Sequence, residues 1–107
     1  MLIIKNYFMK VQIQAVNFKA DRDLIVLIEE KISGLGKFYD HIISYEVFLK
    51  VQKTSEKENK HFELRLGIPG DDLIVKKVSD SFEDALNQVF TTAKKSLIRH
   101  KEKQRNK

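Results

Sequence analysis

The chain has no cysteine and no tryptophan, and its 107 residues include a single proline. The absence of cysteine excludes disulfide bonds, thiolate zinc sites and cysteine nucleophiles, and it is compatible with a reducing compartment. No apolar run approaches the roughly 20 residues that are needed to cross a bilayer. The apolar residues 2–4 are too short a stretch for the hydrophobic region of a secretory signal peptide. We therefore expect a cytoplasmic protein that has no membrane partner.

The length and composition predict one folded domain. With 42% apolar and 33% charged residues, the chain is too apolar to be a disordered tail. The ordered pattern begins only after Met9, which we take as the native start. Residues 1–8 are therefore expected to be a non-native or flexible N-terminal extension, residues 9–103 a single domain, and residues 104–107 a short basic tail.

Positive charge is concentrated at the C-terminal end of the chain. The net charge is +5, whereas residues 94–107 alone contain seven basic residues and one acidic residue, so residues 1–93 are close to neutral. A near-neutral body with a cationic end is typical of a protein that binds a polyanion. A solvated terminus that only improves solubility is the alternative interpretation.

Four segments have the alternating or β-branched composition of strands: residues 10–16, 42–51, 61–68 and 73–78. The polar residues 52–60 predict a hairpin loop, and residues 69–72 (Pro-Gly-Asp-Asp) predict a turn. The last three strands should therefore form an antiparallel meander.

Two segments have apolar residues at helical spacing. In the first, Asp21 is the predicted N-cap. Gly34 and Gly36 are expected to end the helix, with Gly36 as the candidate for the left-handed position. The second begins with Ser81 and Asp84, which fit a capping box. Its apolar positions are Phe82, Ala85, Leu86, Val89, Phe90, Ala93 and Leu97. The order β-α-β-β-β-α predicts an α+β fold, with two helices packed on one face of a four-stranded sheet.

Motifs for catalysis or cofactor binding are not found. The Gly-Leu-Gly run at residues 34–36 lacks the third glycine of a dinucleotide loop and follows a helix. His41, His61 and His100 lie far apart on different predicted elements, so a metal site is not expected. We predict no cofactor, no small-molecule substrate and no enzymatic activity.

Two rows of basic residues lie along the last predicted helix. Residues four apart form the first row: Lys95, Arg99 and Lys103. Steps of seven and four residues form the second row: Lys94, Lys101 and Arg105. Basic residues on the fourth strand and the first helix are expected to widen this surface. The predicted RNA-binding residues are Lys31, Lys76, Lys94, Lys95, Arg99, Lys101 and Lys103.

No aromatic pair on a strand has the pattern of a base-stacking platform, so recognition of structured RNA through its shape and phosphates is favoured. A general structured-RNA-binding module and a transcription-modulating protein-interaction module are the alternatives. The first would bind naked duplex RNA as well as any assembled target. The second would show little salt-sensitive affinity for RNA.

Several segments resemble a known family. Asp40 after Lys37-Phe38-Tyr39, the run at residues 81–85 (Ser-Phe-Glu-Asp-Ala) and the basic run at residues 94–103 are similar to the bacterial ribosome hibernation-promoting factors and ribosome-associated inhibitors, also called sigma-54 modulation proteins. The resemblance extends from about residue 9 to residue 103. It implies a fold similar to double-stranded RNA-binding domains.

The resemblance also implies a function. Such proteins bind between the head and body of the small ribosomal subunit, over the messenger channel and the A and P tRNA positions. A ribosome that holds one cannot initiate, and it hibernates in stationary phase or starvation. The implied partners are the small subunit and its rRNA, with a second hibernation factor as a candidate further partner.

Carried over by position, the family's basic residues match Lys31 on the first helix and, on the last helix, Lys95, Arg99, Lys101 and Lys103. The chain departs from the family pattern at Ile25, Gly34 and Thr92, where relatives often carry Arg or Lys. Lys94, Lys76 and Lys77 are candidates to compensate for Thr92. By its length the chain resembles the short hibernation-promoting branch of the family.

Overall fold

The computed structural model describes residues 11–16 and 18–105 of the chain. It contains four strands, two α-helices and one 3₁₀ turn. Their bounds are β1 Val11–Val16, α1 Arg22–Ser33, the 3₁₀ turn Gly34–Lys37, β2 Ser44–Val51, β3 Lys60–Ile68, β4 Asp71–Ser79 and α2 Phe82–Arg105. The predicted order β-α-β-β-β-α is thus confirmed. The expected N-terminal extension lies outside the described residues.

The strands form one mixed sheet in the order β1-β2-β3-β4. β2, β3 and β4 are antiparallel neighbours, as the meander predicted. β1 pairs with β2 in parallel, with Val11 opposite Tyr45. A parallel pair needs a crossover connection, and α1 is part of that connection.

Alternation along the strands gives the sheet one covered face and one open face. The covered face carries apolar residues in matched register, since Val47 lies opposite both Ile13 and Leu64, and Leu64 lies opposite Val75. Val47 and Leu64 have no exposed surface. α2 packs on β3 and β4, and α1 packs on β1 and α2. Both helices therefore cover the same face of the sheet, as predicted, and no helix within residues 11–16 and 18–105 covers the opposite face, which is called the open face below.

The first helix begins at its predicted cap and ends at Ser33 with Gly34 as its C-cap, which is one of the two glycines predicted to end it. The carboxylate of Asp21 accepts a hydrogen bond of 2.8 Å from the backbone N–H of Leu24. The expectation that Gly36 is left-handed was wrong, because Gly36 lies inside the 3₁₀ turn and, among the described residues, the glycine with positive φ is Gly70. A Cβ at Gly36 would lie 3.1 Å from the hydroxyl oxygen of Tyr45. Close approach to the sheet therefore explains the glycine.

The turn between β3 and β4 is tighter than the predicted turn at residues 69–72. Only Pro69 and Gly70 lie outside the strands, and Asp71 already pairs with Ile68. Gly70 has a φ of 83°, which suits a type II turn with proline before the glycine. The two aspartates after the turn, Asp71 and Asp72, therefore belong to β4.

Candidate nucleic-acid interface

A compact set of side chains fixes the start of α2. The hydroxyl of Ser81 accepts a 3.0 Å hydrogen bond from the backbone N–H of Asp84, which confirms the predicted cap. The Asp84 carboxylate accepts bonds from the buried Ser79 hydroxyl, at 2.5 Å, and from the Gln88 amide, at 2.7 Å. These two hydrogen bonds hold the pKa of Asp84 below its ordinary value of 3.8. The carboxylate near the N-terminus also complements the helix dipole.

The first 16 residues of α2 pack firmly on the sheet, whereas its last turns are mostly exposed. The buried positions are Phe82, Ala85, Leu86, Val89, Ala93 and Leu97. All are predicted core residues, and Phe90, the seventh, is half-buried. From Ile98 to Arg105 every residue is exposed except His100, which is half-buried. The helix continues through Gln104 and Arg105, which the sequence assigned to the basic tail.

The first basic row lies on this exposed end. Lys95, Arg99 and Lys103 are all exposed, and their four-residue spacing places them along one side of the helix. Like charges at this spacing repel each other, although cations in the last turn are favoured by the helix dipole. The ion pairs among residues 11–16 and 18–105 are His41–Asp40, Arg65–Glu63 and Lys76–Glu63. No carboxylate therefore neutralises this row within the described part of the chain.

The second basic row begins at the seam between the two helices. Lys101 and Arg105 are exposed, whereas Lys94 is half-buried. The Lys94 ammonium lies 4.9 Å from the centre of the Phe38 ring, at the end of the 3₁₀ turn. Lys31, in the last turn of α1, lies 4.8 Å from the centre of the Phe90 ring. The two rings meet edge to face, with their centres 6.3 Å apart.

A contact between distant segments holds the last turns of α2. The Tyr39 hydroxyl donates a 3.2 Å hydrogen bond to the side-chain carbonyl of Gln104. The buried Tyr39 ring packs edge to face against His100 at 5.2 Å and against His41 at 5.4 Å. Two of the three histidines therefore lie on one aromatic ring, although the sequence predicted them to lie apart. His61 lies elsewhere, with its Nε2 atom 2.7 Å from the Gln52 side chain.

Lys76 does not join the helix surface. It belongs to the open face of the sheet, where its ammonium lies 4.0 Å from the Glu63 carboxylate. Because successive side chains of a strand point to opposite faces, the next residue, Lys77, points toward the helix side, where it is half-buried. Of the seven predicted RNA-binding residues, the structure brings six together on α1 and α2, and Lys76 lies on the other side of the sheet.

The open face differs from the helix side in charge and polarity. It combines acidic and basic residues, such as Glu63, Arg65 and Lys76, with the partly exposed apolar residues Val16 and Ile74. Arg65 lies over the Phe48 ring at 5.5 Å and donates a 3.1 Å hydrogen bond to Glu63. Among the described residues, the exposed basic end of α2 therefore offers a polyanion a row of cations that are not in ion pairs, whereas Arg65 and Lys76 on the open face are paired with Glu63.

Sequence reasoning missed the role of the two phenylalanines at the seam. Phe90 was assigned to the core by its helical spacing, and Phe38 was noted only as part of a motif. No spacing rule links Phe90 to Lys31, since they lie on different helices that meet only after folding.

Within residues 11–16 and 18–105, no group of three or more His, Asp or Glu is placed to hold a metal ion. In the same residues no helix is long and apolar enough to span a membrane.

Comparison with known proteins identifies relatives of the chain. The family described as "Sigma 54 modulation protein / S30EA ribosomal protein" matches residues 11–105. The ribosome hibernation promoting factor of Azotobacter vinelandii is 31% identical over 77 residues, which cover 72% of this chain and 68% of the relative. That of Pseudomonas putida is 26% identical over 98 residues, which cover 92% of each chain.

Solved structures share the fold at low sequence identity. A ribosomal subunit interface protein from Coxiella burnetii superposes with a TM-score of 0.74 and 18% identity, over 88% of this chain and 99% of the other. The N-terminal domain of Protein Y from Thermus thermophilus gives a TM-score of 0.73 at 15% identity, over 86% and 99%. Since the family match extends from β1 to the end of α2, the chain belongs to the sigma-54 modulation protein and S30EA ribosomal protein family.

Proposed function

We propose that this chain is a ribosome hibernation factor, which binds the small ribosomal subunit and prevents translation while it is bound. The relatives named ribosome hibernation promoting factor support this proposal, with 92% of each chain covered in one case. The observation that carries it is the exposed basic end of α2. Lys95, Arg99 and Lys103 lie along one side of the helix, and the described residues provide no carboxylate partner for them.

The ligand of this surface is the phosphate backbone of structured rRNA. Six predicted contact residues lie on the helix side, and ammonium and guanidinium groups are the usual partners of phosphate oxygens. The sequence has no aromatic pair on a predicted strand with the pattern of a base-stacking platform, which favours recognition of backbone shape over base sequence. Contact with about five to seven phosphates would give a slope of log affinity against log salt of about −4 to −6.

The inhibition is steric and needs no catalytic group. A domain that occupies the messenger and tRNA region of the small subunit excludes initiator tRNA and messenger while it remains there. Such a role fits an exposed basic surface on a long helix, since the fold then places the charges together on one side of the domain. The protein acts in the cytoplasm, during stationary phase or starvation, and a second hibernation factor would be a further partner on paired ribosomes.

The proposal is tested by co-sedimentation of the full chain with purified small ribosomal subunits across a salt series. Naked duplex RNA is added in excess as the competitor. Binding near one chain per subunit that survives the competitor supports a defined ribosomal site. Binding that any duplex removes equally would instead assign the chain to general structured-RNA binding, and absence of binding at low salt would contradict both.

A further inference from the structure

The seam between α1 and α2 contains two lysines that lie on aromatic rings. Lys31 is over Phe90 at 4.8 Å, Lys94 is over Phe38 at 4.9 Å, and the two rings contact each other edge to face. The arrangement links the last turn of α1, the 3₁₀ turn and the middle of α2. It is therefore a feature of the folded domain and not of any one segment.

These ammonium groups keep their hydrogen-bonding capacity. Neither Lys31 nor Lys94 takes part in an ion pair or a side-chain hydrogen bond within residues 11–16 and 18–105. A ring face attracts an ammonium through its quadrupole, and an N–H that points at the ring still leaves the other N–H donors for an anion. Both groups are thus held in place with their donors available to an anion.

The rings reduce the entropy that anion binding would cost. A free lysine side chain samples many rotamers, and ordering it on a ligand opposes binding. Both lysine side chains are half-buried, in contrast to the exposed lysines of the first basic row. The Lys31 and Lys94 side chains are already restricted before a ligand arrives.

We propose that Phe38 and Phe90 are positioning residues, which hold Lys94 and Lys31 as a pre-ordered phosphate-binding site for structured RNA at the seam between α1 and α2. The proposal rests on the proposed function and extends it to residues that carry no charge.

Leucine substitutions test the proposal because leucine keeps apolar packing and removes the ring face. Phe38→Leu and Phe90→Leu should each weaken binding to purified small subunits by about two- to fivefold, which is the value of one exposed cation–π contact. The salt slope should stay the same, since both ammonium groups remain. Lys31→Met and Lys94→Met should instead reduce the slope by about 0.7 to 0.9 each.

The matched control is Phe48→Leu, which removes a cation–π contact with Arg65 on the open face of the sheet. It should leave affinity for the small subunit unchanged. Phe90→Leu should also have no effect in a Lys31→Met background if the ring acts through that lysine. This cycle separates positioning from loss of stability, because a fold defect would persist in the Lys31→Met protein.

The outcomes distinguish the two proposals. If the wild-type chain does not bind small subunits, the proposed function fails. If the wild-type chain binds and the Phe38→Leu and Phe90→Leu variants match Phe48→Leu, the positioning role is refuted while the function stands. An unchanged Phe90→Leu effect in the Lys31→Met background would also refute it.

Discussion

Neutralising the first basic row of α2 should remove most of the affinity for the small ribosomal subunit without disturbing the fold. Lys95, Arg99 and Lys103 are exposed and unpaired within the described residues. Each phosphate contact changes the slope of log affinity against log salt by about 0.8, which corresponds to a factor of about five in affinity at 0.15 M salt. The triple variant Lys95→Gln, Arg99→Gln, Lys103→Gln should therefore bind about 100-fold more weakly, with a salt slope shallower by about 2 to 3.

The assay is co-sedimentation with small subunits at several salt concentrations, and urea unfolding reports the stability of the variant. The stability should change by less than about 0.5 kcal/mol, because these substitutions are on the surface and relieve repulsion between like charges. A control triple, Lys50→Gln, Lys53→Gln and Lys57→Gln, makes the same change in net charge on exposed residues of β2 and the following loop. The reasoning is refuted if the two triples weaken binding equally, since net charge and not the helix surface would then explain the affinity.

Three further substitutions test the architecture that carries this surface. Gly70→Ala should cost about 1 to 2 kcal/mol in urea unfolding, because Gly70 has a φ of 83°; a neutral effect would contradict the turn. Asp84→Asn should lower stability most at neutral pH, and the loss of stability relative to the wild type should shrink below about pH 4. Because the pKa of Asp84 is lowered in the folded protein, its carboxylate stabilises the fold fully above the ordinary pKa of 3.8. This stabilisation is lost as the pH falls through the folded pKa. A stability difference between wild type and variant that grows as the pH falls would contradict this prediction. Tyr39→Phe should speed amide hydrogen exchange in the last two turns of α2, since it removes the hydrogen bond to Gln104 and keeps the ring. Exchange that stays as slow as in the wild type would show that the bond does not hold the helix end.

The elements of the fold could be predicted because each is determined by local pattern. Period-two alternation located the strands, and Asp21 and Ser81 located the helix starts through their side-chain oxygens. Gly34 likewise caps the end of α1, whereas the left-handed conformation expected at Gly36 was wrong. A Cβ at Gly36 would lie 3.1 Å from the hydroxyl oxygen of Tyr45, and no local pattern reports this contact with a strand later in the chain.

The candidate site was predictable in part for the same reason. Spacing along one helix aligned Lys95, Arg99 and Lys103, and the structure keeps them on one side. Adjacent side chains on a strand point to opposite faces of the sheet. The sequence alone was therefore enough to place either Lys76 or Lys77 on the face away from the helices. The pairing of Lys31 with Phe90 depends on how two helices pack, and no local pattern reports that contact.

The helix side of the domain, and not the open face of the sheet, should contact small-subunit RNA. Since the chain has no cysteine, a single introduced thiol can carry a short photo-crosslinker. Ile98 on α2 and Ile74 on β4 form a matched pair, with exposures of 37% and 48%. Each Ile→Cys variant is labelled and bound to small subunits, and the crosslinked rRNA is mapped by primer extension. We expect crosslinks from position 98 to rRNA of the messenger and tRNA region, and few crosslinks from position 74. Strong crosslinks from position 74 alone would contradict contact through the helix side.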